Sequence, residues 1–179
     1  NGGKTWVKTN TSFIDDFYSS YGYYFGDITV DPKNQERIYI TGVPLLFSDN
    51  GGKTFQSIDG DNVHSDHHVV WINPNNPNHL VNGNDGGLNI TYDNGKSWQL
   101  CNSIPVGQFY AVNVDEQEPY NIYGGLQDNG VWVGASNYSA SIGWQQEGKY
   151  PYARLMGGDG MQIQIDKRNP NIVFTGYQY

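Results

Sequence analysis

Apolar and polar residues alternate in short runs along this chain, and the runs recur. Ile28-Thr29-Val30, Val70-Trp71-Ile72, Val112-Asn113-Val114 and Ile163-Gln164-Ile165 each put two apolar side chains on one face of an extended segment. Each meets Asp or Asn at once (Asp31, Asn73, Asp115, Asp166). A Pro- or Asn-bearing turn follows, then a second short run ending near Gly42, Gly83, Gly124 or Gly176. The four anchors stand 42, 42 and 51 residues apart. A period near that length, with about four short strands in it, predicts a β-propeller blade.

The expected fold is all-β, a β-propeller fragment of four-stranded antiparallel blades. Blades are expected at 24–58, 66–101 and 108–147, and 160–179 starts a further one. Residues 1–8 read as the last strand of a preceding blade. Strands of the second blade are expected at 66–72, 79–83, 87–92 and 96–101. Three blades and two stubs cannot close a ring, so the remaining blades of the same polypeptide are expected as neighbours. An open β-sandwich or a solenoid is the alternative.

A second signal joins the third and fourth strands. Ser48-Asp49-Asn50-Gly51-Gly52-Lys53-Thr54-Phe55 and Thr91-Tyr92-Asp93-Asn94-Gly95-Lys96-Ser97-Trp98 share one pattern, and Asn1 to Trp6 repeats it without the first two residues. The chain thus starts inside the motif, as a piece of a longer protein would. Asn50 or Asp93 can accept backbone N–H bonds within the turn, and Gly52 and Gly95 supply positive φ. Thr54 and Ser97 tie the arms together, while Phe55 or Trp98 covers the hairpin. These residues resemble the Asp-box, or bacterial neuraminidase repeat, of sialidases, sortilins and xyloglucanases. The resemblance assigns them a structural role.

Composition adds limits. The chain has 179 residues, with 23 Gly, 14 Tyr and 5 Trp, a mixture that suits an antiparallel β protein. Ten Lys+Arg against 18 Asp+Glu give a net charge of −8, which disfavours nucleic acid or an anionic membrane as partner. Cys101 is the single cysteine, so no intrachain disulfide forms, and this favours a bacterial over a eukaryotic extracytoplasmic protein. No apolar run is long enough to span a bilayer. No motif for a cofactor, nucleotide or thiol chemistry is present.

The strand order locates candidate chemistry. The Asp-Pro turns and the Asp-box turns share one rim; strand-one starts and the links between strands two and three share the other. That second rim collects Asp27, His64-Ser65-Asp66-His67-His68, Gln108, Tyr110 and Gly157-Gly158-Asp159-Gly160 from strand starts. Strand-two ends add Asn84-Asp85-Gly86, Gln127-Asp128-Asn129 and Tyr177-Gln178-Tyr179. Asp85, Asp128 and Gln178 follow their anchors by 12, 13 and 12 residues, a register that aims them at one cavity. His67, His68, Asp85, Gln127, Asp128, Asp159 and Gln178 are therefore the ligand-binding candidates. Asp27, Asp85, Asp128 and Asp159 are the candidate catalytic carboxyls, since glycoside hydrolysis needs two about 5 to 10 Å apart. Histidines with a carboxylate can hold a transition metal, but His67 and His68 alternate in direction along a strand, and no metal is assigned. A sialidase arginine cluster is not available: only Arg37, Arg154 and Arg168 occur, and Arg37 and Arg168 fall on the opposite rim.

The stretch from His64 to Trp98, with Leu126-Gln127-Asp128-Asn129-Gly130 and Gly157-Gly158-Asp159-Gly160, resembles large secreted bacterial proteins with sortilin-like or xyloglucanase-like Asp-box propellers. The resemblance implies a secreted or cell-surface propeller that engages a glycan or a protein. A glycoside hydrolase is the alternative, and a structural or assembly role comes third.

Overall fold

The computed structural model describes residues 1–15, 17–19, 21–101, 106–139, 141–142 and 151–178. Fourteen strands lie among them. β1 (Ile28–Asp31), β2 (Asn34–Thr41), β3 (Leu45–Ser48) and β4 (Gln56–Ser57) form one sheet in chain order. β5 (His67–Ile72), β6 (Leu80–Asn84), β7 (Gly87–Thr91) and β8 (Gln99–Cys101) form the second. β9 (Phe109–Val114), β10 (Asn121–Leu126), β11 (Gly130–Ala135) and β12 (Tyr152–Met156) form the third, and β13 (Ile163–Ile165) pairs with β14 (Val173–Thr175). Every pairing is antiparallel between chain neighbours. These up-and-down four-stranded sheets are propeller-type blades.

The chain divides into two compact units, residues 1–101 and 102–179. In the first, Tyr39, Leu45, Phe47 and Ile58 pack against Val70, Ile72, Leu80 and Trp98 of the second sheet. In the second, Tyr123 and Val131 pack with Ile163. The same joint recurs in both. Thr29 Oγ1 donates to Val70 O at 3.2 Å, and Asn113 Nδ2 donates to Ile163 O at 3.0 Å. Both donors stand two residues before their anchor, so the repeat extends to the bonds between sheets.

The anchors close identical turns. Asp31, Asn73, Asp115 and Asp166 each accept the backbone N–H two residues on, at 2.8, 2.9, 3.2 and 2.8 Å. Burial raises the Asp115 carboxyl, but bonds from Asn121, Gln117 and Tyr123 outweigh it and hold the group at about 2.

Two boundaries differ from the sequence expectation. Residues 1–8 form a turn and then chain with no strand, because no described strand lies beside them to complete a ladder. The third sheet closes with Tyr152–Met156, past residue 147. The longer spacing between Asp115 and Asp166 is taken up by the connection after Ala135; residues 143–147 of the expected blade lie outside the described residues.

Candidate functional site

The turns of the first rim are closed systems. Asn50 Oδ1 accepts from Lys53 N (3.1 Å) and Thr54 N (3.0 Å), and Asn50 Nδ2 donates to Thr54 Oγ1 at 2.7 Å. Asp93 accepts from Ser97 N at 2.9 Å, Ser97 Oγ at 2.6 Å and Thr91 Oγ1 at 2.8 Å. The Ser97 and Thr91 bonds hold the Asp93 carboxyl down at about 2. Gly52 and Gly95 adopt φ of 81° and 83°, and Gly3 of the first copy matches them at 76°. Phe55 is half-buried, whereas Trp98 is buried and reaches the preceding sheet, its Nε1 donating to Ile58 O at 2.7 Å. Arg37 works on this rim too, donating to Pro77 O at 3.0 Å and Asn94 Oδ1 at 2.9 Å. These groups satisfy one another and leave little for a ligand.

The opposite ends of the sheets differ, and in each unit a backbone irregularity shapes them. β5 and β6 slip register between His67 and Val69, and β9 and β10 slip between Phe109 and Ala111. His68 and Tyr110, each five residues before its anchor, are the bulged residues. A bulge re-aims its side chain; His68 meets a carboxylate, and Tyr110 feels the charge of two. His68 Nε2 lies 2.7 Å from Asp85 Oδ1, with both side chains about a third exposed (32% and 27%). Burial raises the Tyr110 hydroxyl, and the charges of Asp159 and Asp128 raise it further.

In the first unit, Asp85 occupies the tight β6–β7 turn, where Asn84 Oδ1 accepts from Gly86 N at 3.0 Å. Asp85 N donates to Asp66 O at 3.3 Å, bringing the two loops together. Asp27 is exposed at the start of β1 and caps Ile28 N at 3.0 Å. His67 departs from expectation: it is fully buried, with Asn82 Nδ2 2.8 Å from its Nδ1 and Asp59 Oδ2 3.6 Å from its Nε2. It is a polar strut of the core with no exposed surface for a ligand. Among the described residues no group of three potential metal ligands gathers, and no helix is long and apolar enough to cross a membrane.

In the second unit, Asp128 and Asp159 meet. Asp159 Oδ1 accepts the Asp128 backbone N–H at 2.8 Å, and Gln178 Oε1 accepts the Asp159 N–H at 2.6 Å. Asp128 takes a left-handed φ of 58°. Gln127 sits half-buried beside them, its carbonyl accepting from Asn129 N at 2.7 Å. Arg154 lies against Gly130 and Gly157, which flank this cluster in the chain. Asp85 belongs to the other unit and has its own partner, His68.

One group escaped the sequence reading. Segment 17–25 holds six aromatics, of which Tyr24 and Phe25 contact the His68 ring at centroid distances of 5.2 and 5.6 Å. Their density was visible in the sequence; their position on this rim was not.

No family model matches the chain, and no curated protein does. Among solved structures, an ancestral GH74 enzyme aligns over 85% of this chain and 22% of its own, at 17% identity and a TM-score of 0.43. A GH74 enzyme of Niastella koreensis aligns over 83% and 24%, at 13% identity and a TM-score of 0.39. The GH74 xyloglucanase of Xanthomonas campestris aligns over 83% and 26%, at 12% and 0.39. The chain therefore spans about a quarter of the length of these enzymes, and such a likeness carries no argument about activity.

Proposed function

We propose that this chain is part of a secreted or cell-surface Asp-box propeller of bacterial type that binds a glycan through the rim bearing His68 and Asp85. One observation carries the reading: the bulge at His68 turns an imidazole out of the ladder and onto an accessible carboxylate, away from the self-satisfied turns of the other rim. A protein ligand is a less suited occupant, because the rim offers hydrogen-bonding groups and rings in place of a broad apolar face.

Further blades belong to this reading. Ile28 and Val30 are 60% and 45% exposed, while Val70 and Ile72, at the same repeat positions, are 3% and 6% exposed beneath the first sheet. A further sheet of the same repeat would cover Ile28 and Val30 as the first covers Val70 and Ile72.

Glycoside hydrolysis is the second reading, favoured by the approach of Asp128 and Asp159. The Asp128 amide already occupies Asp159 Oδ1, so a strap between loops accounts for that pair as well. Affinity electrophoresis against soluble polysaccharides, run beside a reducing-end assay, separates the readings. Retardation without sugar release supports binding; release lost in Asp128→Asn and Asp159→Asn supports hydrolysis; the absence of both retardation and release refutes both.

A further inference from the structure

The segment before β1 is built around aromatic rings. Phe17 is its anchor, 5% exposed, with its carbonyl accepting Val43 N at 2.8 Å and its ring against Gly42. A side chain at Gly42 would collide with that ring, so the glycine lets the segment sit on the β2–β3 link. The chain then coils: Tyr21 N donates to Tyr18 O at 2.9 Å and Tyr24 N to Tyr21 O at 2.8 Å. The Gly26 N–H rejoins the first sheet at Thr41 O, 3.0 Å away.

Two rings of the segment lie in water. Tyr23 and Tyr24 are 84% and 63% exposed, though Phe17 and Phe25 already supply the segment's packing. Holding two large rings in water contributes nothing to folding, and such patches mark binding surfaces. The rings adjoin the polar pair: Tyr24 meets His68 edge to face, and His68 Nε2 meets Asp85.

From this juxtaposition we propose that Tyr23 and Tyr24 form a stacking platform for a neutral sugar ring, whose hydroxyls His68 and Asp85 bond; this rests on the glycan reading above. Three features select that ligand. Tyrosine faces match the C–H face of a pyranose, and an imidazole–carboxylate pair beside them matches its hydroxyls. Every Lys and Arg of the first unit lies in residues 1–8, in the turns of the opposite rim or, for Arg37, in β2 with its side chain bonded at that rim, while Asp27, Asp66 and Asp85 stand on this one, so an anionic sugar is repelled. The rings also touch each other, at centroid distances of 5.3 Å for Tyr24–Phe25 and 6.5 Å for Tyr23–Tyr24. That contact leaves no gap between them for an organic cation, which an aromatic cage would need.

The test is affinity electrophoresis of the whole chain in gels containing a neutral β-glucan, a neutral galactomannan or an acidic polyuronate. Tyr23→Ala/Tyr24→Ala and Tyr23→Phe/Tyr24→Phe are run alongside, with thermal melts as fold controls. The chain should be retarded by a neutral polymer and not by the polyuronate. The alanine pair should lose about tenfold or more in affinity, since a stacked ring is worth roughly 1 kcal/mol. The phenylalanine pair should stay within about threefold of the parent, because the rings persist. Should the alanine pair melt early, Tyr23→Ser alone, at the outermost ring, replaces it, with about a fivefold loss expected for one ring. Undiminished binding by the alanine pair, or by Tyr23→Ser where it replaces that pair, overturns the platform and leaves the glycan reading standing. A parent chain that binds none of the polymers overturns the glycan reading, and choline displacing a bound polymer overturns the choice of a neutral ligand.

Discussion

Trp98 is the most informative residue to remove from the scaffold. It ends the turn at 91–98, yet its indole crosses to the preceding sheet, where Nε1 donates to Ile58 O at 2.7 Å. Asn62 Nδ2 returns a bond to Trp98 O at 3.0 Å, and the ring packs among Tyr39, Leu80 and Ile72. Trp98→Ala deletes the ring and orphans a buried carbonyl, a loss of about 3–5 kcal/mol. Trp98→Phe keeps most of the packing and loses mainly the hydrogen bond, about 1–3 kcal/mol. Against a domain stability of about 5–15 kcal/mol, the alanine variant should be close to unfolding. Urea unfolding followed by far-ultraviolet circular dichroism measures both losses, read as a lower midpoint at unchanged slope. Hydrogen exchange localises them: amides of β5–β8 should lose protection while those of β10 and β11 keep theirs. An alanine variant within about 1 kcal/mol of the parent, or equal loss of protection in both units, would refute the view that this ring joins neighbouring sheets.

Acid should loosen the turns. Asp93 and Asp115 titrate at about 2 in the folded chain against an ordinary 3.8, so their contribution is complete above that value and is lost as pH falls through about 2. Asp115→Asn should flatten the fall in melting temperature between pH 4 and 2 relative to the parent. Asp93→Asn should fold, because Asn50 accepts the matching backbone N–H in the neighbouring turn, but should melt below the parent at neutral pH and converge with it as pH falls toward 2. Gly125→Ala should cost about 3 kcal/mol or more in urea unfolding, since a methyl there runs into the carbonyls of Gly160 and Met161.

The repeat was legible because all four sheets state it in the Asx anchor and the first two state it again in the turn before the fourth strand. Local turn chemistry is written in local sequence. The rim was legible only as far as chain direction fixes it, because antiparallel alternation alone decides which loops share an end. His67 and His68 mark the limit. Alternation sends neighbours to opposite faces, and the bulge decides which one emerges, but a slip between β5 and β6 leaves no signature in either strand by itself. The aromatic coil at 17–25 has no periodicity to read, and its site depends on the Phe17 contact with Gly42, a partner 25 residues away. Arg154 was hidden similarly, because the strand that carries it begins later than the period implied.

The central claim is that the rim with Asp85 engages a glycan while the turn with Asp93 serves only the scaffold. Parallel affinity electrophoresis of Asp85→Asn and Asp93→Asn in a polysaccharide that retards the parent tests it most directly. Asp85→Asn should lose about tenfold in affinity at an unchanged melting temperature, as expected for one charged hydrogen-bonding partner. Asp93→Asn should bind like the parent. Binding that survives Asp85→Asn and fails in Asp93→Asn would contradict the account.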